Sequence, residues 1–131
     1  MAETTHAPPA AGTFCWNELV TPDPGASKSF YSELLGWSSD DLDMGEMGTY
    51  TIFRKGEQQV AGMMVMVGEQ WQGVPPHWMS YVAVDDVDAS TARVEELGGK
   101  VCVPPTDIPN VGRFSVITDP TGATVSLFKS R

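Results

Sequence analysis

The chain contains two related halves that lie 63 residues apart. Residues 19–36 align with residues 82–99 at this constant offset, and six positions in the window are identical. About one identity is expected by chance, so we infer that one structural module has been duplicated. The later parts of the modules align at an offset of 64, where residues 48–53 match residues 112–117. The identical pairs are Asp23/Asp86, Ala26/Ala89, Ser27/Ser90, Glu33/Glu96, Leu34/Leu97 and Gly36/Gly99.

The duplication predicts a single domain at residues 13–131. Module 1 is expected at about residues 14–67 and module 2 at about 78–129, and residues 68–77 form a linker rich in turn formers. Residues 1–12 are predicted to be a flexible tail. A chain of 131 residues can bury a core without disulfides or a structural metal.

Each module is predicted to contain one strand, one helix and three further strands. In module 1 the helix begins after Asp23, an N-cap that accepts backbone N–H groups, with Pro24 at the first helical position and Gly36 as the stop. Two βαβββ modules predict an α+β fold, in which a curved mixed sheet surrounds a pocket and the helices cover its outer face. The predicted buried face of the first helix is formed by Ala26, Phe30, Tyr31, Leu34 and Leu35.

The second module repeats this pattern with weaker signals. Asp86 is its predicted N-cap, and Gly98 and Gly99 stop its helix. The buried face of this helix is predicted to contain Val87, Thr91, Val94 and Leu97. The predicted strands are residues 14–21, 39–42, 48–54 and 59–66 in module 1, and 78–84, 100–103, 112–118 and 123–129 in module 2.

Composition argues against several classes of partner. Eight Lys and Arg against seventeen Asp and Glu give a net charge of −9, and no basic cluster occurs, which disfavours nucleic acid and anionic membranes.

Cys15 and Cys102 lie far apart and are predicted to be buried free thiols. No apolar run approaches the roughly 20 residues of a membrane span, and residues 1–12 lack a signal-peptide pattern. We therefore expect a cytoplasmic protein.

The paired modules resemble the vicinal oxygen chelate superfamily. The resemblance is carried by the FYxxLLGW sequence of residues 30–37 and the DPxG turn of residues 119–122. This superfamily includes glyoxalase I, bleomycin and fosfomycin resistance proteins, extradiol dioxygenases and methylmalonyl-CoA epimerase. Residues 14–19, 105–109 and 112–114 are similar to a glyoxalase-like bacterial group. The resemblance implies the glyoxalase/bleomycin resistance/dioxygenase fold and a homodimer with pockets at or near its two-fold interface.

The resemblance also marks the positions at which metal-dependent members hold their metal. One position lies in the first strand and one in the last strand of each module. None of the four residues found there is a carboxylate or an imidazole, which divalent metals of this class require. We therefore expect neither a metal nor another cofactor. A shifted metal site that uses Glu18 and His77 is an alternative, although it would lack a third and a fourth ligand. The four positions are Trp16, Gly62, Met79 and Ser126.

Strand alternation predicts which side chains face the pocket. The predicted wall is apolar and aromatic, contains one carboxylate, Glu18, and suits an organic small molecule oriented by few polar groups. Arg113 follows Gly112 at the expected edge of the pocket. The predicted ligand-binding residues are Trp16, Met64, Met79, Tyr81, Arg113, Ser126 and Phe128.

Glu18 is the candidate catalytic residue. In an apolar wall its carboxylate can act as a general base or accept a hydrogen bond from a ligand. Alternatively it pairs with Arg113 or bonds Tyr81 and only holds the strands together. Arg113 in turn can bind a ligand carboxylate through its two-pronged guanidinium, or it can be a solvated strand residue.

Four functions remain open at this point. The first is binding of a small organic molecule without a divalent metal. The second is a metal-independent lyase, isomerase or hydrolase in which Glu18 is the base. The third is a metal-dependent glyoxalase or dioxygenase, which would need the shifted metal site. The fourth is a non-catalytic regulatory or scaffold protein with a vestigial pocket.

Overall fold

The computed structural model describes residues 9–45 and 48–131. The chain divides into two compact units. The first unit comprises Trp16–Trp78, and the second comprises Met79–Arg131 together with residues 9–15. His6 and most of the predicted N-terminal tail lie outside the described residues. The end of that tail is hydrogen-bonded, because the backbone N–H of Gly12 donates to the carbonyl oxygen of Ala83 at 2.8 Å.

The first unit forms a four-stranded sheet with one helix. The order in its sheet is β2-β3-β4-β1, with β1 and β4 parallel and the other neighbours antiparallel. A short 3-10 helix, Glu69–Trp71, follows the last strand. The elements are β1 (Phe14–Thr21), α1 (Pro24–Leu35), β2 (Ser38–Asp43), β3 (Thr49–Lys55) and β4 (Gln58–Val65).

The second unit repeats the same order of elements. Its sheet order is β5-β8-β7-β6, with β5 and β8 parallel and the other neighbours antiparallel. This repetition confirms the predicted α+β fold of two βαβββ modules, each with a mixed sheet. The elements are β5 (His77–Ala83), α2 (Val87–Ala92), β6 (Lys100–Ile108), β7 (Gly112–Thr118) and β8 (Thr124–Ser130).

The outer strands of the two sheets differ from the rest. Every residue of β2 is exposed, and its sequence SSDDLD carries three aspartates. The strand β6 is longer than the predicted 100–103 and extends to Ile108 through two irregular steps. It tolerates Pro104 and Pro105 because an outer strand does not need every N–H for pairing.

Both N-caps and the Gly36 stop of α1 form as the sequence predicts. The Asp23 carboxylate accepts the backbone N–H of Ala26 at 3.1 Å, and the Asp86 carboxylate accepts that of Ala89 at 3.0 Å. Gly36 ends α1 with φ of 72°, a left-handed conformation in which glycine carries no steric cost.

The predicted buried face of α1 is wrong. None of its residues is buried, and Phe30 and Leu34 are 57% and 63% exposed. Helical spacing identifies side chains that share a face, but it does not show that another element covers them. Tyr31 alone of the predicted set is packed against the hydrophobic core of the unit. That core contains Leu19, Phe53, Ala61 and Met63, with Tyr31, Trp37 and Val60 packed against it.

The second helix is shorter than predicted, because α2 ends at Ala92 and is not stopped by Gly98 and Gly99. Of its predicted buried face, Val87 and Thr91 lie on α2 and are buried, Val94 is buried in the turns that follow, and Leu97 is exposed. The hydroxyl groups of Thr91 and Ser115 are 2.8 Å apart, which joins α2 to β7.

Cys102 is exposed rather than buried, because β6 is an outer strand. Within residues 9–45 and 48–131, no helix is long and apolar enough to cross a membrane.

The N-cap of α1 is a testable contribution to stability. Asp23→Ala removes the acceptor for Ala26 N–H, so we expect the free energy of unfolding to fall by about 1 kcal/mol. Urea denaturation measures this change. Asp23→Ser should restore most of it, and the exposed Glu33→Ala on the same helix should stay within about 0.5 kcal/mol of the parent. An unchanged Asp23→Ala midpoint would show that the cap does not stabilise the fold.

Candidate functional site

Side chains alternate along β1, so its two faces differ. Leu19 packs into the core on the side of α1, and Glu18 therefore lies on the face opposite α1. Glu18 is paired in register with Gly62 of β4, and the next residue on that face, Met64, is paired with Tyr50 of β3. We call this surface the helix-free face of the first unit, comprising Trp16, Glu18, Tyr50, Gly62 and Met64.

A hydrogen-bonded group of three side chains occupies this face. The indole Nε1–H of Trp16 donates to the hydroxyl oxygen of Tyr50 at 2.9 Å. The Tyr50 hydroxyl is also hydrogen-bonded to Glu18. Because an ionised carboxylate only accepts, the phenol must donate in this second bond. Glu18 is 6% exposed, so the structure holds a buried carboxylate against a phenol that an indole orients.

Tyr50 is the member of this group that the sequence reasoning missed. Burial, followed by the charge of Glu18, raises the pKa of Tyr50 above its ordinary value. The phenol therefore stays protonated across the physiological range and keeps its donor hydrogen. Strand alternation in β3, together with the repeat that aligns Tyr50 with Phe114 in a strand of the other module, could have identified Tyr50.

Gly62 leaves space that the ring of Tyr50 fills. A Cβ atom added at Gly62 would overlap the hydroxyl and ring of Tyr50. Glycine is therefore required here by close approach rather than by an unusual backbone angle. The tyrosine ring stands where a longer side chain at position 62 would project.

The second unit has a corresponding helix-free face. Ser115 bonds Thr91 of α2, so Phe114 on the same strand must point to the opposite side of the sheet. Register pairs Phe114 with Phe128, and Tyr81 with Ser126.

The predicted ligand-binding residues of β5 and β8 meet on this face. The rings of Tyr81 and Phe128 contact edge to face, with centroids 6.1 Å apart. Met79 lies two residues before Tyr81 and shares its side of β5. The Ser126 hydroxyl is fully buried and has no hydrogen-bond partner among the described residues. Buried hydroxyls usually find a partner, so Ser126 marks a position where a bound water or ligand atom would satisfy one.

Arg113 lies on the other side of the sheet from the predicted ligand-binding residues of its own unit. It lies on the α2 side of β7, on the same side as Ser115. Its guanidinium donates two 2.9 Å hydrogen bonds to the Asp88 carboxylate and a third, also 2.9 Å, to Asp107. These bonds lower the pKa of Asp88. Arg113 therefore connects α2 to β6 and lies on the side of its sheet opposite Phe114.

The side chains at the four superfamily metal positions do not fit a divalent metal. Trp16 offers no lone pair, Gly62 has no side chain, and Met79 and Ser126 supply a soft thioether and a neutral hydroxyl. Among the residues that the structure describes, no group of three or more His, Cys, Asp and Glu is arranged to hold a metal ion.

The shifted site built from Glu18 and His77 is not supported either. His77 lines a groove beside α1 together with Leu19 and Thr21. Leu19 and Thr21 point away from the side of β1 on which Glu18 lies.

The close approach of Tyr50 to Gly62 can be tested by mutation. Gly62→Ala forces the Tyr50 ring to move and breaks its bonds to Trp16 and Glu18, so we expect a loss of about 2–3 kcal/mol in the free energy of unfolding. Chemical denaturation measures it. Gly25→Ala in the first turn of α1, where an added Cβ makes an ordinary 3.7 Å contact, should be neutral or slightly stabilising. Equal stability of the two variants would contradict the packing described here.

Comparison with known proteins identifies the family. Residues 13–127 match the model of the Glyoxalase/Bleomycin resistance protein/Dioxygenase superfamily. The chain is 40% identical over 118 residues to the Mycobacterium tuberculosis (strain CDC 1551 / Oshkosh) protein named "Putative glyoxylase CFP32", covering 90% of this chain and 44% of that protein. It is 34% identical over 131 residues to "Anthracycline biosynthesis protein DnrV" of Streptomyces peucetius, covering 92% and 48%. The chain thus spans about half the length of these curated relatives.

Solved structures agree on the fold. Methylmalonyl-CoA epimerase from Mycobacterium tuberculosis matches 96% of this chain and 94% of its own, with a TM-score of 0.66 and 14% sequence identity. That likeness concerns the fold alone. The family model, in contrast, covers nearly the whole of both modules, and the chain therefore belongs to the Glyoxalase/Bleomycin resistance protein/Dioxygenase superfamily.

Proposed function

We propose that this protein binds a small organic molecule on its helix-free faces without a divalent metal. The observation that supports this most directly is the group formed by Trp16, Tyr50 and Glu18, which places one buried carboxylate in an aromatic wall. A carboxylate can accept several hydrogen bonds at once, so Glu18 can hold Tyr50 and a ligand N–H or O–H together. Apolar walls with few fixed polar groups are typical of small-molecule sites.

The second unit supports the same proposal by its own chemistry. Tyr81 and Phe128 supply two rings on its helix-free face, and the buried Ser126 hydroxyl, which has no partner in the described part of the chain, supplies a polar group on the strand beside Tyr81. Met79 adds a flexible apolar side chain that can adapt to ligand shape. We keep these residues, with Trp16 and Met64, as the proposed ligand-binding set. A homodimer in the cytoplasm is the proposed assembly and location.

The proposed absence of a metal gives a prediction for thermal stability. Chelation with EDTA, or addition of Mn²⁺ or Zn²⁺ after chelation, should leave the Tm within about 1 °C of the untreated protein. A metal held at a hundred times its Kd would stabilise the fold by about 2.7 kcal/mol, which corresponds to several degrees in Tm. A stoichiometric ion in the native mass spectrum, removed by EDTA with loss of stability, would contradict the proposal and return metal-dependent glyoxalase or dioxygenase chemistry.

Native mass spectrometry of the untagged protein tests ligand binding. We expect a fraction of the purified protein to carry an extra organic mass. Trp16→Phe removes the N–H that orients Tyr50, so the affinity should fall about fivefold, the equivalent of one hydrogen bond of about 1 kcal/mol. The matched variant Trp71→Phe, outside both helix-free faces, should keep the parent occupancy. Protein free of organic mass, with no thermal shift across a metabolite screen, would favour a regulatory or scaffold protein instead.

An enzymatic function is the second candidate, favoured by the contact between Glu18 and a protonated phenol. A base in an apolar wall next to a fixed donor can move a proton on a carbonyl substrate. Because a relative is named "Putative glyoxylase CFP32", we choose the hemithioacetal of methylglyoxal and glutathione as the first compound to assay. Its conversion to lactoylglutathione only relocates hydrogen within the molecule.

Substitution of the proposed base separates binding from catalysis. If Glu18 is the base, Glu18→Gln should abolish formation of lactoylglutathione, measured by its ultraviolet absorbance, and still bind a neutral ligand. The exposed Glu33→Gln should react like the parent. Equal rates in the parent and in Glu18→Gln would remove Glu18 from the role of base, and absence of turnover in the parent would leave binding as the function.

A further inference from the structure

A groove of about 470 Å³ lies beside α1, on the side of the first unit opposite Glu18. Its walls include Phe30 and Tyr31 of the helix, Thr21 at the end of β1, and His77 and Trp78 at the start of β5. This groove takes no part in the proposed function. Its volume lies within the range of sites that bind small organic molecules.

Aromatic rings give the groove its character. The ring of Tyr31 is stacked on Trp37 with centroids 5.4 Å apart, and it meets Phe30 and Trp78 edge to face at 5.0 and 5.5 Å. The contacts with Tyr31 hold the rings of Phe30 and Trp78 in place, although these rings are 57% and 41% exposed. Two fixed and exposed rings beside one cavity form a preorganised stacking surface for another flat ring.

The fold itself does not require the ring of Phe30. The repeat places Arg93 at the equivalent position, and the second unit builds the same βαβββ order with it. Phe30 is more than half exposed and is not among the residues packed against the core of its unit. The exposed ring therefore points to a ligand rather than to stability.

The polar groups of the groove are oriented donors and one acceptor. Trp78 Nε1–H donates to the Tyr31 hydroxyl at 3.1 Å, so that hydroxyl keeps its own hydrogen to donate. Thr21 Oγ1, on a side chain that is 5% exposed, accepts the Asp23 N–H at 3.1 Å and the Ser27 hydroxyl at 3.2 Å, and it too has a hydrogen to donate.

Histidine completes the polar lining. His77 Nδ1 lies 2.8 Å from the Pro75 carbonyl oxygen. A carbonyl oxygen only accepts, so this contact makes Nδ1 the donor, and in the neutral ring Nε2 is the acceptor. None of the described lining residues is Asp, Glu, Lys or Arg. A lining without carboxylate, ammonium or guanidinium groups favours an uncharged ligand, and the net charge of −9 disfavours an anion.

We propose that this groove is a second binding site, for an uncharged planar aromatic molecule that carries a carbonyl or phenol oxygen. The ring of the ligand stacks against Phe30 and Trp78. Its oxygen accepts a hydrogen bond from the Tyr31 or Thr21 hydroxyl. Two fused rings fit the volume, and the site works independently of Glu18.

Titration with 7-hydroxycoumarin, followed by the indole N–H signals in ¹H–¹⁵N NMR spectra, tests the site. The Trp78 signal should shift in a saturable way, and the Trp16 signal should not. Phe30→Ser removes the exposed ring and should weaken binding at least about fivefold, as one lost aromatic contact of about 1 kcal/mol predicts. The matched control is Leu34→Ser, which removes an equally exposed apolar side chain that does not line the groove, and it should bind as the parent does.

Each other outcome overturns the proposal. No shift of Trp78 at about 1 mM coumarin, the weak end of specific affinities, would show that the groove binds no such ring. A saturable shift of the Trp16 signal with no shift of the Trp78 signal would assign the coumarin to the proposed site on the helix-free face. A parent dimer that Phe30→Ser converts to a monomer in sedimentation velocity, without coumarin binding, would make the groove a contact between two copies of the chain. Failure here leaves the Trp16 and Glu18 experiments unaffected.

Discussion

The helix-free face of the first unit depends on the contacts that the Tyr50 hydroxyl makes. This hydroxyl accepts from Trp16, donates to Glu18 and lies against the bare backbone of Gly62. Without it, Glu18 would be a buried charge with one fewer donor, which is costly in an apolar wall. The same ring fills the space where a metal-binding side chain at position 62 would project. One tyrosine thus occupies the space at position 62 and holds the Glu18 carboxylate by a hydrogen bond.

Local patterns in the sequence predicted the elements better than their surroundings. The caps at Asp23 and Asp86 and the βαβββ order follow from signals within a few residues, and all of them form. The exposed face of α1 could not be predicted, because helical spacing gives a shared face and not what lies above it. Strand alternation placed Glu18 and Tyr81 on helix-free faces, yet the partners Tyr50 and Asp88 depend on packing between strands and helices that one sequence does not show.

The duplicated modules share one architecture but carry chemically different side chains at equivalent positions. Positions 62 and 126 are equivalent in the repeat, but the first is a glycine beneath Tyr50 and the second is a serine whose hydroxyl has no partner within residues 9–45 and 48–131. Position 50 is a tyrosine, and its equivalent at 114 is a phenylalanine that can make no hydrogen bond from its ring. The backbone pattern needs strands and a helix at these places, so side chains pointing away from the core were free to diverge.

The outer strands of the two sheets have consequences for solubility. An unpaired strand edge can recruit the edge of another molecule unless something prevents it. On β2 aspartate carboxylates prevent this recruitment. The pKa of Asp41 is lowered mainly by its hydrogen bond to Lys28. On β6 Pro104 and Pro105 prevent it, because they lack the N–H that a recruited strand would need. One edge is therefore protected by charge, which acid removes, and the other by covalent structure, which no change of pH can alter.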